Sequence, residues 1–323
     1  MKEILILVGY PSSGKSTAVK DYPNHYQLST RKLGGKLSNI VSRLEELIVL
    51  GHTKFILDDD YPNIESRKPI IEIGEKYDIP VKCLYLTTSI EYSQYNACVK
   101  MLHEFGRVLH PDEIKKLRRP DIVAASDIFA FRRNFEKPED SEGFAKIKKI
   151  RFTSQYRQEC KDNNTNAAIF IDIDAIRETK SGRMYPIDRN DIVIKPGRQA
   201  ALSDLKAKGY MIIAISNQGG IGKELFTIKD AKAYMDYTNE LLDGLIDDYD
   251  FCPHNTFPIQ CYCRKPMPGI GVEMTWKHKL NPATTLVLEN ETSDKTFAKR
   301  CGFGTKSAED YFADYEKFET ISQ

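Results

Sequence analysis

The nine residues Gly9-Tyr10-Pro11-Ser12-Ser13-Gly14-Lys15-Ser16-Thr17 follow the pattern GxxxxGK[ST]. Such a loop meets phosphate oxygens with backbone N–H groups, so glycines stand at the crowded points and the loop ends on a helix N-terminus. Read this way, Gly9, Ser12, Ser13, Gly14 and Thr17 cradle a nucleoside triphosphate, Lys15 reaches its β/γ-phosphates and Ser16 holds Mg2+. A glycine-rich turn without a ligand is the plainer alternative. The apolar run Ile4–Val8 before the loop and the helical sequence after it supply the strand–loop–helix setting that phosphate binding requires.

A transfer reaction also needs an acidic group to orient the attacking hydroxyl. Asp58, Asp59 and Asp60 stand at the end of another apolar run, where α/β folds bind ligands. Asp58 closes that run directly and is the candidate catalytic carboxylate. Asp59 and Asp60 are open between substrate contact and a solvated turn leading into a helix from Ser66. Residues 100–157 then carry 14 Lys/Arg against 9 Asp/Glu, and Arg118-Arg119 and Arg132-Arg133 interleave with Phe129, Phe131 and Phe135. That mixture suits an acidic single strand stacked on rings, and equally an ordinary charged helix face.

A second chemical motif begins at Ile169-Phe170-Ile171-Asp172-Ile173-Asp174. One aspartate can attack phosphorus while the other, two residues on, handles protons. Ser216 in Ser216-Asn217-Gln218-Gly219-Gly220, Lys265 in Cys263-Arg264-Lys265-Pro266, and Asn290 with Asp294 follow in order. This ordered set resembles the layout of haloacid-dehalogenase-type phosphatases. In it Ser216 bonds the phosphate, Lys265 neutralises it, and Asn290 and Asp294 join Asp172 and Asp174 around Mg2+. Between these pieces, Cys252-Pro-His254 and Cys261-Tyr-Cys263 place four soft ligands within twelve residues. With no open position, they suit a closed tetrahedral Zn2+ centre that pins the loop before Lys265.

The elements that must position these groups alternate. The first half reads as strands at Ile4–Val8, Tyr26–Leu28, Lys54–Asp58 and Val81–Leu86, with helices from Lys15 and at Lys36–Leu50 and Ser66–Tyr77. The second reads as strands at Ala167–Asp172, Met211–Ser216 and Thr285–Glu289, with helices near Pro196–Lys208 and Ile228–Leu245. Strands alternating with helices predict α/β architecture, here two doubly wound parallel sheets. The polar stretch Gln158–Asn166 reads as a linker, which divides the chain into domains 1–157 and 166–323. A length of 323 residues agrees with two domains. With 47 Lys/Arg against 46 Asp/Glu, the formal charge of +1 excludes nucleic-acid binding by bulk charge. No run reaches the roughly 18 apolar residues of a membrane span, and the N-terminal run leads into the glycine loop with no cleavage site. Seven scattered cysteines, three of them clustered, suggest a metal in a reducing compartment, so the expected location is cytoplasmic.

A P-loop half followed by a DxD phosphatase half resembles the bifunctional polynucleotide 5′-kinase/3′-phosphatases. The first half carries the resemblance in GYPSSGKST, Leu33-Gly34, Pro62, Ser66-Arg67, Asn96, Phe135-Glu136-Lys137-Pro138 and Glu142-Gly143-Phe144. The second half is also similar to zinc-containing histidinol-phosphate and heptose-bisphosphate phosphatases, through SNQGGIG, FCPH, CYCRKPMPG and LENETSDKTFAKRCGF. The resemblance implies ATP-dependent phosphorylation of a 5′-hydroxyl and removal of a 3′-phosphate, both with Mg2+, with nucleic acid as substrate and Asp59, Asp60 and Arg67 on the substrate side. The sequence departs from the pattern at four places. Ser29-Thr30-Arg31 replaces an N-R-D motif, putting a cation where the kinase base would stand. Cys98 and Lys100 occupy the lid-arginine positions, leaving Arg107 as the replacement. Asp172-Ile-Asp174-Ala175-Ile176 replaces D-x-D-G-T, and Glu289-Asn290 replaces G-D. Two other readings follow from these departures: a kinase acting on a different hydroxyl, such as a hydroxymethylated base or a small molecule, and a nucleotide-binding module on a degenerate phosphatase scaffold.

Overall fold

Every residue of Ile4–Val8 is buried, which requires neighbours on both edges and both faces. The computed structural model describes residues 2–30, 33, 36–255, 257 and 261–321. In it the chain forms two compact units, Met1–Ala97 with Asp112–Thr153, and Cys98–Pro111 with Ser154–Gln323.

The first unit holds β1 (Glu3–Val8), the short helix α1 (Lys15–Ala18), β2 (Tyr26–Leu28), α2 (Leu37–Val49), β3 (Lys54–Leu57), α3 (Ile64–Lys76) and β4 (Val81–Leu86). Then come α4 (Ile90–Phe105), which belongs to this unit only as far as Ala97, α5 (Pro111–Leu117), which belongs to it from Asp112, α6 (Ala125–Arg133) and β5 (Lys146–Ile150). Its sheet runs β2-β3-β1-β4-β5, parallel throughout, with Ile6 in register with both Leu57 and Cys83. Strand order reverses at β1, so the loop after Val8 leaves the sheet at the topological switch point, where such folds bind ligands. Helix α1 is brief and continues only as a 3-10 turn through Asp21, because Pro23 follows. Helix α3 starts before the expected Ser66: the Asn63 side chain accepts from Ser66 N at 3.0 Å and Ser66 Oγ accepts from Asn63 N at 3.2 Å, a reciprocal cap.

The second unit contains α7 (Gln155–Asn163), β6 (Ala168–Asp172), α8 (Ile173–Ile176), β7 (Arg177–Thr179), β8 (Ile192–Ile194), α9 (Arg198–Ala207), β9 (Met211–Asn217) and α10 (Gly219–Gly222). It continues through α11 (Ile228–Leu241), β10 (Asp248–Cys252), α12 (Gly269–His278), β11 (Leu286–Glu289), α13 (Thr292–Cys301), β12 (Gly304–Ser307) and α14 (Ala308–Ile321). The main sheet runs β10-β9-β6-β11-β12, again parallel, and β7 and β8 pair as a separate antiparallel hairpin. Asp172 closes the central strand and lies in register with Ile215, so Asp172 and Ser216 emerge at the same carboxyl rim.

Two expectations about organisation change. The stretch read as a linker is mostly helix α7, whose polarity belongs to its outer face while Tyr156 and Cys160, four residues apart, are buried. Residues 98–111 group with the second unit: Leu102 and Leu109 are buried, and Val108 N donates to Glu273 Oε1 at 2.7 Å. Among the described residues, no helix is long and apolar enough to cross a membrane.

Candidate functional site

The P-loop is tightly formed. Gly14 has φ 100°, and a Cβ there would lie 2.4 Å from the Phe152 ring, so the position accepts only glycine. Ser12 is also left-handed, at φ 61°. Thr88 Oγ1 donates to Ser13 O at 2.8 Å and Asn96 Nδ2 to Ser12 O at 3.0 Å, while Thr17 N closes the first helical turn on Gly14 O. Ser13 Oγ is buried without a hydrogen-bond partner, which suits a hydroxyl kept for an incoming oxygen. The buried Lys15 ammonium donates to Gly9 O at 2.9 Å, Tyr10 O at 3.0 Å and Asp60 Oδ1 at 2.8 Å.

The three aspartates divide into distinct roles. Buried Asp58 accepts from Ser16 Oγ at 3.0 Å through Oδ2, and its Oδ1 has no hydrogen-bond partner. A hydroxyl and a carboxylate so placed are the kind of donors that hold Mg2+ beside a triphosphate. Asp59 accepts from Thr30 N at 2.7 Å and from Asp60 N at 2.8 Å, so it ties strand ends together. Asp60, partly exposed, pairs with Lys15.

Two expectations for this half are corrected, at Arg67 and at the aromatic residues. Arg67 does not face a substrate: it is fully buried, its guanidinium gripping Glu142 in two bonds of 2.6 and 2.8 Å and donating to Tyr61 O and Glu136 O. Its cationic fork joins α3 to the chain after α6. Phe131 and Phe135 are not a free stacking platform, since both pack on Tyr10 at centroid distances of 5.3 and 5.4 Å. Arg107 lies in the second unit, where it lines a cleft with Glu273. Arg31 and Gly34 lie outside the described residues.

In the second unit, the Lys265 ammonium sits between Asp172 Oδ2 and Asp294 Oδ1, the latter at 2.5 Å, and all three side chains are buried. Burial lowers the Lys265 pKa, but the two facing carboxylates outweigh it and leave the pKa raised. Burial likewise pushes the Asp172 carboxyl up, against the pull of Lys265. Asp172 Oδ1 accepts from Asp174 N at 2.8 Å, which fixes the turn at the strand end. Asn217 holds the backbone of Lys265 from both sides, with Oδ1 accepting at 2.9 Å and Nδ2 donating at 3.1 Å. Ser216 Oγ is buried and accepts from Gln218 Nε2 at 2.7 Å.

Asp174 stands at the mouth, its side chain open to solvent at the edge of a cleft of about 400 Å3 that Arg177, Arg183, Tyr185, Lys195 and Gln218 also line. Crowding by the surrounding protein, and then the charge of Asp172, raise its carboxyl to about 6. Ala175 needs no left-handed backbone, because it lies inside α8 and is absent from the positive-φ positions.

Asp294 is held by the loop after β11. Asn290 N and Glu291 N both donate to Asp294 Oδ2, at 2.9 and 3.2 Å. The carboxylate of Glu291, a residue not expected from the sequence, gathers with Asp172 and Asp294 inside 4.8 Å. Three carboxylate oxygens that close form the hard oxygen set Mg2+ prefers. Glu291 had a sequence signal, since it directly follows the altered Glu289-Asn290 pair on the loop after β11.

Cys252, His254, Cys261 and Cys263 form the other cluster, their ligand atoms all within 4.8 Å. Cys252 Sγ lies 3.7 Å from Cys261 Sγ, and His254 Nδ1 lies 3.4 and 3.2 Å from Cys252 and Cys263 Sγ. A tetrahedron with Zn–S bonds of about 2.3 Å has edges of about 3.7 Å, so these donors stand close to Zn2+-ready positions.

A loop shaped for phosphate on one sheet and an aspartate–lysine cluster on the rim of the other define an α/β protein of phosphoryl chemistry. Comparison with known proteins sharpens this. No family model matches the chain. A Schizosaccharomyces pombe bifunctional polynucleotide phosphatase/kinase is 29% identical over 154 residues, covering 47% of this chain and 34% of that protein. The chain therefore matches about a third of that relative's length. A Helicobacter pylori D-glycero-beta-D-manno-heptose-1,7-bisphosphate 7-phosphatase is 30% identical over 135 residues, covering 41% of this chain and 76% of that protein. Among solved structures, a D,D-heptose 1,7-bisphosphate phosphatase from B. bronchiseptica, complexed with magnesium and phosphate, aligns at TM-score 0.39 and 18% identity, over 49% of this chain and 87% of that one. The chain belongs to the haloacid-dehalogenase-type phosphatase family that includes the heptose bisphosphatases, and it is homologous to the bifunctional polynucleotide phosphatase/kinases.

Proposed function

We propose that the protein processes nucleic-acid ends with two activities: the second unit removes a 3′-phosphate and the first phosphorylates a 5′-hydroxyl from ATP. The buried Asp172–Lys265–Asp294 cluster, with Asp174 two residues beyond it, carries the reading. Asp172 is placed to attack phosphorus, with Lys265 holding its carboxylate and countering the charge of the phosphate oxygens. Asp174, whose raised pKa keeps a proton available near pH 6, donates it to the departing oxygen and later receives one from the attacking water. Asp172, Glu291 and Asp294 would hold Mg2+, which supplies charge neutralisation when bound. Cys252, His254, Cys261 and Cys263 would hold a structural Zn2+.

In the first unit, the P-loop amides and Lys15 bind the triphosphate, and Ser16 with Asp58 hold its Mg2+. One observation favours a second reading, transfer to another hydroxyl such as that of a modified base or a small molecule. Asp59 is engaged by two backbone amides and Asp60 by Lys15, and the stretch Ser29-Thr30-Arg31 offers no carboxylate, so in the acidic triplet Asp58 Oδ1 alone is buried without a partner to orient a 5′-hydroxyl. Labelled ATP offered with 5′-hydroxyl DNA, 5′-hydroxyl RNA, hydroxymethylated duplex and nucleosides tests both readings, together with phosphate release from 3′-phosphorylated oligonucleotides. Label on 5′ ends and loss of 3′-phosphate are expected; label only on base hydroxyls selects the second reading, and no transfer to any acceptor overturns both.

A further inference from the structure

We propose that His110 is part of the metal centre formed by Cys252, His254, Cys261 and Cys263: it accepts a hydrogen bond from His254 and thereby ties residues 106–111 to metal occupancy. This rests on reading the centre as a Zn2+ site. His254 faces the sulfurs with Nδ1, so a metal there leaves the proton on Nε2. Nδ1 of His110 lies 3.2 Å from that nitrogen, the rings 5.1 Å apart and inclined by 55°. A partner on the far nitrogen of a ligating histidine fixes the ring and makes the ligand more basic, and its loss typically weakens metal binding about 10- to 100-fold.

His110 comes from far away in sequence, yet its segment is anchored in the same unit at three points: Leu109 is buried, Val108 N bonds Glu273, and His110 meets His254. Gly106, at φ 71°, makes the turn out of α4. On its other side the centre leads through Arg264, whose Nη1 donates to His254 O at 3.1 Å, into Lys265. Metal at the four ligands would therefore stiffen two things together, the loop carrying the phosphate-binding lysine and the 106–111 segment.

The full-length chain tests this by Zn2+ affinity, measured in competition with a chromophoric chelator, and by amide exchange at residues 107–110. His110 is exposed, so His110→Ala is expected to fold. It should weaken Zn2+ binding about 10- to 100-fold and speed exchange in the segment, as Zn2+ removal should in the unaltered protein. His110→Asn, which keeps an acceptor in the Nδ1 position, should recover most of the affinity. Unaltered protein that takes up no Zn2+ would overturn the zinc reading itself. Zn2+ held by His110→Ala with undiminished affinity, or 107–110 exchange indifferent to Zn2+ removal, would overturn the role of His110 alone.

Discussion

The two units each place one lysine at the carboxyl rim of a parallel sheet, but they hold it differently. Lys265 lies between two buried carboxylates, with its backbone clamped by Asn217. Lys15 donates to two backbone carbonyls and to Asp60, a partly exposed side chain. A cation fixed between fixed anions is organised before phosphate arrives, and it spends little reorganisation at the moment of reaction. On the proposed function, a cation resting on its own loop would have to exchange those partners for phosphate oxygens. The difference fits chemistry at one phosphorus in the second unit, against capture and positioning of a triphosphate in the first.

The comparison can be broken most severely at Lys15. Lys15→Ala should reduce ATP-dependent transfer at least about 100-fold, because a charge-assisted donor over the phosphates is lost, while phosphate release from esters stays unchanged. Transfer at the unaltered rate would remove the P-loop from the account. A structural contrast comes next. Glu142→Ala strands the buried Arg67 guanidinium and should destabilise the first unit by about 3–5 kcal/mol in denaturant unfolding; an effect near zero would return Arg67 to a surface role.

The smallest effect concerns Glu273 in the second unit. Burial raises its carboxyl from 4.5 to about 6, so between these values the folded state binds more protons than the unfolded one. Stability from this group is therefore present below pH 4.5 and lost as pH rises through 6. Glu273→Gln should stabilise the protein at pH 7.5 by on the order of 1–2 kcal/mol and flatten the pH 4.5–6 slope of the unfolding midpoint. An unchanged slope would show that Glu273 ionises as it does in the unfolded chain.

The place of a candidate residue was readable wherever its motif abuts an apolar strand, as with Lys15 after β1 and Asp172 at the end of β6, because a central parallel strand is a continuous apolar run. Strands lacking that signature escaped. β5 is Lys146-Ile-Lys-Lys-Ile150 and forms a sheet edge, where lysines protect an unpaired rim, and β10, which begins Asp248-Tyr-Asp250, is likewise the edge of its sheet. The β7–β8 hairpin consists of strands too short to show alternation. Roles set by partners distant in sequence were equally hidden. Arg67 reads as a binding residue until Glu142, 75 positions later, is seen to neutralise it, and nothing local distinguishes Asp58 beside Ser16 from a base awaiting a hydroxyl.

The central claim is that two independent phosphate-handling sites occupy one chain. Asp172→Asn tests it most directly, with both activities assayed on the same preparation. The account predicts that hydrolysis of phosphate esters disappears while ATP-dependent transfer continues at the unaltered rate. Persisting hydrolysis, or the joint loss of both activities in a folded variant, would contradict it.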